Sequence, residues 1–356
     1  MVDARNNGSI DAMIDTITNK LNGTEISTTN PLPAYLNYTV TYSDDVAIAS
    51  NHLLAAHSIE TYKVRVEYKT EINPSDLPSS STTLIFTFGV TYVQADGNAV
   101  PVFHPNSFST DSWETIVGAV QSGNTSKYHV GDTKTVQLGN SLGTHTLRIA
   151  NKSTPTECGT EGFSQTACGF VLEFADIITT HRMNPYTSGD ANLDGSTVNG
   201  TGNKGGWEYS DMRAYLNSTT YANESIDYST TGIYSSLPEV LRNAIINTTV
   251  VSGHGSVDTT NYTTTDKLYL LSKREVWNYT GSDDTAQGQT RQLDYYESIG
   301  NYSGARKNRN DSNYAWWLRS ASSNYTYSFG NVYVDGYWGN NYAEAARGVS
   351  PAFRIG

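Results

Sequence analysis

The sequence predicts an α+β protein in which an all-β N-terminal part precedes a mixed C-terminal part. Three observations carry that expectation. Between residues 36 and 92 apolar and polar side chains alternate with period two, the mark of half-buried antiparallel strands. Helical spacing with recognisable start signals sets in only beyond residue 110. The length of 356 residues corresponds, at ~150 residues per domain, to about two domains, each large enough to bury a core.

Residues 10–21 fit both periods. Ile10, Met13, Ile14, Ile17 and Leu21 have helical spacing, whereas Ile10, Ala12 and Ile14 alternate, and we read a strand. Leu36, Tyr38, Val40 and Tyr42 then alternate with Asn37, Thr39 and Thr41. The pattern repeats at Tyr62, Val64, Val66 and Tyr68, and at Leu84, Phe86, Phe88, Val90 and Tyr92. Turn clusters around Pro31, Asp44 and Pro74 separate these runs. The Asp96-Gly97-Asn98 turn reads as a linker, which gives domains 1–97 and 98–356. In the second domain Asp111 and Glu114 have the spacing of a capping box ahead of Ile116, Val117 and Val120. Val136 with Leu138, and Leu147 with Ile149, suggest short strands. Asp211 to Leu216, Pro238 to Ile245, and Ser272-Lys273-Arg274-Glu275 ahead of Val276 and Trp277 predict helices. The chain then reads as loop until Trp316–Ser320. Gly348 to Ile355 reads as one last strand containing Pro351.

The net charge of −12 argues against a phosphate-binding surface and so against a nucleic-acid partner. Only 16% of residues are charged, against about 25% in ordinary domains. Polarity therefore comes from Asn, Ser, Thr and 25 Tyr. No run of ~18 apolar residues exists that could span a membrane. The opening MVDARNNGSIDA reads as the middle of a strand, so a leader is expected to have been trimmed and Met1 added. The two cysteines, Cys158 and Cys168, flank a Gly/Ser/Thr-rich loop. We read a disulfide, with two free thiols as the alternative. Zinc would need four ligands, and no His or further Cys lies nearby in sequence. Such a bridge stabilises by ~2–3 kcal/mol and implies an oxidising, extracytoplasmic compartment.

Four segments carry a family resemblance: GGWEYSDMRAYLN (Gly205 to Asn217), IYSSLPEVLRNAI (Ile233 to Ile245), TDKLYLLSKREVW (Thr265 to Trp277) and WWLRSAS…GVSPAFRIG from Trp316 to the end. Together they resemble the variable proteins of diversity-generating retroelements. The resemblance implies a C-type-lectin-like C-terminal domain of the formylglycine-generating-enzyme subclass. It also implies that the segment between the closing motifs, about 322–346, is rewritten at template adenines and lies on a solvent-facing ligand-binding surface. Codons that start as AAC or AAT and change only at adenines cannot yield Lys, Gln, Met, Glu or Trp. The segment has no Lys, Gln or Met. Trp338, with no adenine in its codon, and Glu344 are then fixed framework positions, as are Trp316, Trp317 and Phe353.

The same segment carries paratope composition without any family argument. Tyr rings for contact area lie among Ser, Asn, Gly and Asp for adaptable hydrogen bonds. The residues expected to face the ligand are Ser323, Tyr325, Tyr327, Ser328, Phe329, Gly330, Tyr333, Val334, Asp335, Tyr337, Gly339, Asn340, Asn341 and Tyr342. The bland alternative is a solvated loop in a Tyr- and Asn-rich chain. In the first domain NNGSIDA, VTYSDDVAI and YKVRVEYKT…FTFGVTYVQAD resemble the β-sandwich modules of secreted Firmicute surface proteins of camelysin type. That resemblance implies an immunoglobulin-like or jelly-roll stalk outside a bacterial cell.

Asp190, Asn192 and Asp194 match the first half of a calcium loop, but the twelfth position is Thr201 rather than a bidentate Glu. They offer oxygens to a calcium ion or, alternatively, make an Asx-rich turn. The EPN and QPN tripeptides of calcium-dependent lectins are missing, as are G-x-S-x-G, H-E-x-x-H and Walker loops. His254 sits among glycines and reads as a loop residue. The expected function is reversible recognition of a varied ligand without chemistry, since no catalytic constellation is present, and with no cofactor beyond that calcium. The ligand is expected to be a protein or cell-surface molecule, and the setting a bacterial surface. A fixed surface or pilus-tip subunit and a phage receptor-binding protein are the alternatives.

Overall fold

The computed structural model describes residues 1–185 and 199–356, which form two compact units, Met1–His104 and Pro105–Gly356. Strand prevails over helix, 34% against 16%, and almost all pairing is antiparallel. No helix among the described residues is long and apolar enough to cross a membrane.

The first unit contains β1 (Val2–Arg5), β2 (Ala12–Leu21), β3 (Thr24–Glu25), β4 (Leu36–Tyr42), β5 (Leu53–Leu54), β6 (Ile59–Tyr68) and β7 (Phe86–Gln94). One sheet has the order β1-β6-β4. In the other, β2 pairs with β3 and β5 on one side and with β7 on the other. The ambiguous residues 12–21 are strand because β7 pairs with them from Ala12↔Gln94 to Leu21↔Phe86, and a full-length ladder overrides local helical spacing. Tyr38 stacks on Phe86 at 5.1 Å and Tyr62 meets Phe88 edge-on at 5.5 Å, so the two sheets share an aromatic interior. The unit runs past the Asp96–Asn98 turn where the sequence placed its end. Val100 bridges His52, and His104 holds Asp44 at 3.0 Å and Glu60 at 3.3 Å.

The second unit opens with α1 (Trp113–Gln121), β8 (Thr133–Leu138), β9 (Gly143–Asn151), β10 (Val171–Phe174) and β11 (Thr179–His181). Next come α2 (Asp211–Asn217), β12 (Thr220–Tyr221), β13 (Ile226–Asp227), α3 (Ile233–Ser236), α4 (Glu239–Ala244), β14 (Thr248–Gly253) and β15 (Asn261–Asp266). It closes with α5 (Lys273–Trp277), α6 (Asp294–Ile299), β16 (Lys307–Arg309), β17 (Ser312–Tyr314), β18 (Trp316–Ala321), β19 (Ser328–Val332), β20 (Trp338–Tyr342), β21 (Arg347–Val349) and β22 (Ala352–Arg354). A four-stranded sheet has the order β22-β10-β9-β8, and a five-stranded sheet the order β11-β21-β18-β19-β20. Trp207, Trp316, Trp317, Phe329 and Phe353 are buried in one continuous core.

Local chemistry explains the helix starts. Ser272 and Glu275 form the expected capping box of α5. The cap of α1 is Ser112 rather than Asp111: Ser112 accepts from the Thr115 amide at 3.1 Å. Asp111 instead accepts from Asn106 N and the Tyr128 hydroxyl, each at 2.8 Å. The expected single strand from Gly348 to Ile355 is two strands in two sheets, parted at Ser350-Pro351, where proline lacks the N–H a ladder needs. The stretch read as loop contains α6 and the β16–β17 hairpin. Cys158 and Cys168 are joined by a disulfide; Cys168 is fully buried.

Two buried ion networks knit this unit together. Glu275 accepts from both terminal nitrogens of Arg319, each at 2.6 Å. Glu173 lies between Arg148 and Lys307, each at 2.7 Å. Burial opposes the charge on Glu173, yet the two cations hold its pKa down to about 2. Burial also draws Lys307 down to about 8 against the pull of Glu173. Removing one partner of such a pair strands a charge in the core. Arg319→Met should therefore lower unfolding stability in urea by about 3–5 kcal/mol. Arg319→Met combined with Glu275→Leu should recover part of that loss, because Glu275 is then no longer left as an unpaired buried carboxylate.

Candidate ligand-binding face

The segment between β18 and β21 folds into a pinned loop, residues 322–327, followed by the β19–β20 hairpin. The hairpin register runs from Ser328↔Tyr342 to Val332↔Trp338. Its turn is closed by Tyr333 N donating to Tyr337 O at 2.8 Å and Gly336 N to Tyr333 O at 2.9 Å. Gly336 has φ +91°, and a Cβ there would lie 2.0 Å from the Tyr302 carbonyl oxygen, so the position requires glycine. Arg306 Nε braces the turn through Asp335 O at 2.9 Å.

The loop is pinned by a residue that the sequence did not single out. The buried Asn203 amide nitrogen lies 2.7, 2.6 and 2.9 Å from the carbonyls of Ser322, Tyr325 and Ser328, and Asn203 N donates to Thr326 O. No local pattern announces this contact, because its two ends are more than 100 residues apart.

Beneath the hairpin lies Lys273, fully buried. Its ammonium donates to Asp283 at 2.6 Å and stands 4.9 Å from the Trp338 ring and 5.1 Å from the Tyr279 ring. Asp283 also accepts from the Tyr279 hydroxyl and, at 3.5 Å, from Asn340. Burial works against the charge on Asp283, but Lys273 and Tyr279 hold its pKa below the ordinary value. Neighbouring Asp284 behaves oppositely: burial pushes it up against the hydrogen bond from Ser320 and the charges of Arg319 and Lys273. Gly330 lies close over this lysine: a Cβ there would come within 2.9 Å of Lys273 Cε, so a larger residue would have to displace the lysine stem.

The predicted ligand-facing residues divide into three groups. Tyr325, Tyr333, Val334, Asp335, Tyr337 and Tyr342 are exposed, and Ser323, Tyr327, Asn340 and Asn341 are half-buried. Ser328, Phe329, Gly330 and Gly339 are buried and do not face solvent. β19 is an internal strand covered on both sides, so period-two alternation does not expose Phe329, and the Tyr333 ring lies against Gly339. Of the fixed positions, Trp316, Trp317 and Phe353 are fully buried and Trp338 half-buried.

Three tyrosine rings, two exposed and one half-buried, form a ladder. Tyr325 and Tyr327 are 5.8 Å apart, and Tyr327 stacks on Tyr342 at 4.9 Å. These rings, with Ser328, Asn340 and Asn341, line a cleft of about 340 Å³. Ser328 Oγ and Asn340 Oδ1 are buried without a hydrogen-bond partner among the described residues. Every described residue lining the cleft falls within the segment 322–346. On the other side of the hairpin turn Tyr302 stands edge-on to Tyr337 at 4.6 Å.

Other candidate chemistry lies elsewhere. His254 is held between Glu208 at 2.7 Å and Asp258 at 3.2 Å and stacks on Tyr262. Among the described residues no group of three or more His, Cys, Asp or Glu could hold a metal. Asp190, Asn192 and Asp194 lie outside the described residues.

The profile of the family described as "Domain of unknown function (DUF6273)" matches residues 179–356, half of the chain, and the chain belongs to that family. No curated protein and no solved structure matches it. The match starts at β11 and so takes in the whole five-stranded sheet and its hairpin face.

The raised pKa of Asp284 fixes the sign of one prediction. Its ionisation is disfavoured in the fold, so it lowers stability above its folded pKa and not below its unfolded pKa near ~3.9. Asp284→Asn should raise the urea midpoint at pH 7, and the gain over the parent should close as pH falls towards about 4.

Proposed function

We propose that this chain is a surface-displayed binding protein without catalytic activity, whose C-terminal unit recognises varied, mainly protein, ligands through the face formed by residues 322–346. In this reading the C-terminal unit has the C-type-lectin-like fold of retroelement variable proteins, and adenine-directed rewriting changes its exposed side chains. Residues 1–104 form a camelysin-type stalk on a bacterial surface. The observation that carries the reading is the Tyr325–Tyr327–Tyr342 cleft, with two unpartnered polar atoms in its lining. Buried polar atoms are normally satisfied, so these are available to a ligand. Tyrosine supplies contact area at low rotamer cost and a hydroxyl for hydrogen bonding. The disulfide supports an oxidising compartment.

Sequencing the 3′ end of the gene and its flanking DNA across a natural population tests this proposal. Substitutions should concentrate at codons 325, 327, 333, 337, 341 and 342 and spare Phe329, Val332 and Trp338. A near-identical template repeat and a reverse-transcriptase gene should lie nearby. A uniform 3′ end without a template would overturn the diversified reading. Tyr325→Ala with Tyr342→Ala should shift the melting temperature by only about a few degrees, as surface changes do. A large drop would make the rings part of the fold rather than a contact surface.

A further inference from the structure

A second cleft, of about 500 Å³, opens beside the hairpin between α5, α6 and Trp338. That volume is within the ~300–1,000 Å³ range of small-molecule sites. Its aromatic walls include Trp277, Tyr279, Tyr302 and Trp338. Two of these rings already serve a cation, since Lys273 stands over Tyr279 and Trp338. No cation lies over Trp277 or Tyr302 among the described residues, and Tyr302 is half-exposed.

The polar groups at this cleft are specific in what they can accept. Trp277 Nε1 is a buried donor without a partner among the described residues. Gln292 commits its amide nitrogen to Val276 O at 3.0 Å, which leaves Oε1 as an acceptor. The one charged side chain in the lining among the described residues, Glu297, leans towards Arg291 at 3.8 Å. A donor and an acceptor without protein partners among the described residues, on a cleft lined by the Trp277 and Tyr302 rings, match a hydroxyl, which both accepts and donates; the Tyr302 ring also meets Tyr337 at 4.6 Å. The negative face of an aromatic ring also attracts the weakly positive C–H edge of a pyranose. An organic cation would instead need an uncompensated carboxylate and unoccupied ring faces around it.

We propose that the cleft between α5, α6 and Trp338 is a binding site for a neutral saccharide, with Trp277 and Tyr302 as stacking surfaces and Trp277 Nε1 and Gln292 Oε1 as hydroxyl partners. The site is separate from the Tyr325–Tyr342 cleft and stands whether or not that face is diversified.

The test uses the full chain and saturation-transfer NMR with defined probes: D-glucose, D-galactose, D-mannose, N-acetyl-D-glucosamine and cellobiose, with tetramethylammonium as a cationic comparison. At least one saccharide should receive saturation and shift an indole N–H resonance of the protein. Trp277→Phe keeps a ring and removes the donor, and it should weaken that binding about tenfold. Tyr302→Ala, at a half-exposed position, should weaken it comparably with the fold intact by circular dichroism. Tyr325→Ala with Tyr342→Ala should leave it unchanged. The proposal is overturned if no saccharide receives saturation, or if binding survives both Trp277→Phe and Tyr302→Ala. It is equally overturned if the Tyr325/Tyr342 pair abolishes binding, which would move the site to the other cleft. Tetramethylammonium binding that disappears in Glu297→Gln would assign a cation cage in its place.

Discussion

The ammonium of Lys273 is the constraint around which the hairpin face is arranged. A fully buried cation must be paired, and Asp283 answers it at 2.6 Å. That carboxylate in turn gathers Tyr279 and Asn340, and the rings of Tyr279 and Trp338 stand over the lysine. Because the aliphatic stem runs under Gly330, the strand above it sits at a fixed height. The hairpin therefore rests on a charge whose displacement would strand both an ammonium and a carboxylate in the interior.

The family-matched segment is only part of one compact unit. It begins at residue 179, whereas the compact unit begins at Pro105. β22 pairs with β10, and Lys307 meets its carboxylate on Glu173, both reaching outside the match. Cut at residue 179, the C-terminal half would keep Lys307 but lose the anion that offsets its burial. The preceding strands are thus part of the fold that carries the face.

Legibility in the sequence followed distance along the chain. Capping at Ser272 and the alternating runs of β4, β6 and β7 are local signals, and the structure places those elements where the residues indicate. The strand 12–21 was decided by its partner β7, which no local window contains. Phe329 was read as exposed because it lies among the Tyr, Asn, Ser and Gly residues of the segment, but it belongs to β19, every residue of which is buried. The exposed tyrosines were legible from composition alone. Their supports, Asn203 and Lys273, were not: one acts across more than 100 residues, and the other looked like an ordinary first-turn lysine of α5.

The grip of Asn203 has a consequence for what the 322–328 loop can tolerate. Its amide reads main-chain carbonyls, and its own N–H reads another. Every amino acid carries that carbonyl, so the anchorage is blind to the identity of the side chains it holds in place. Curvature and chemistry are thereby uncoupled along this stretch: the path of the loop is written at position 203, and its vocabulary at positions 323 to 327.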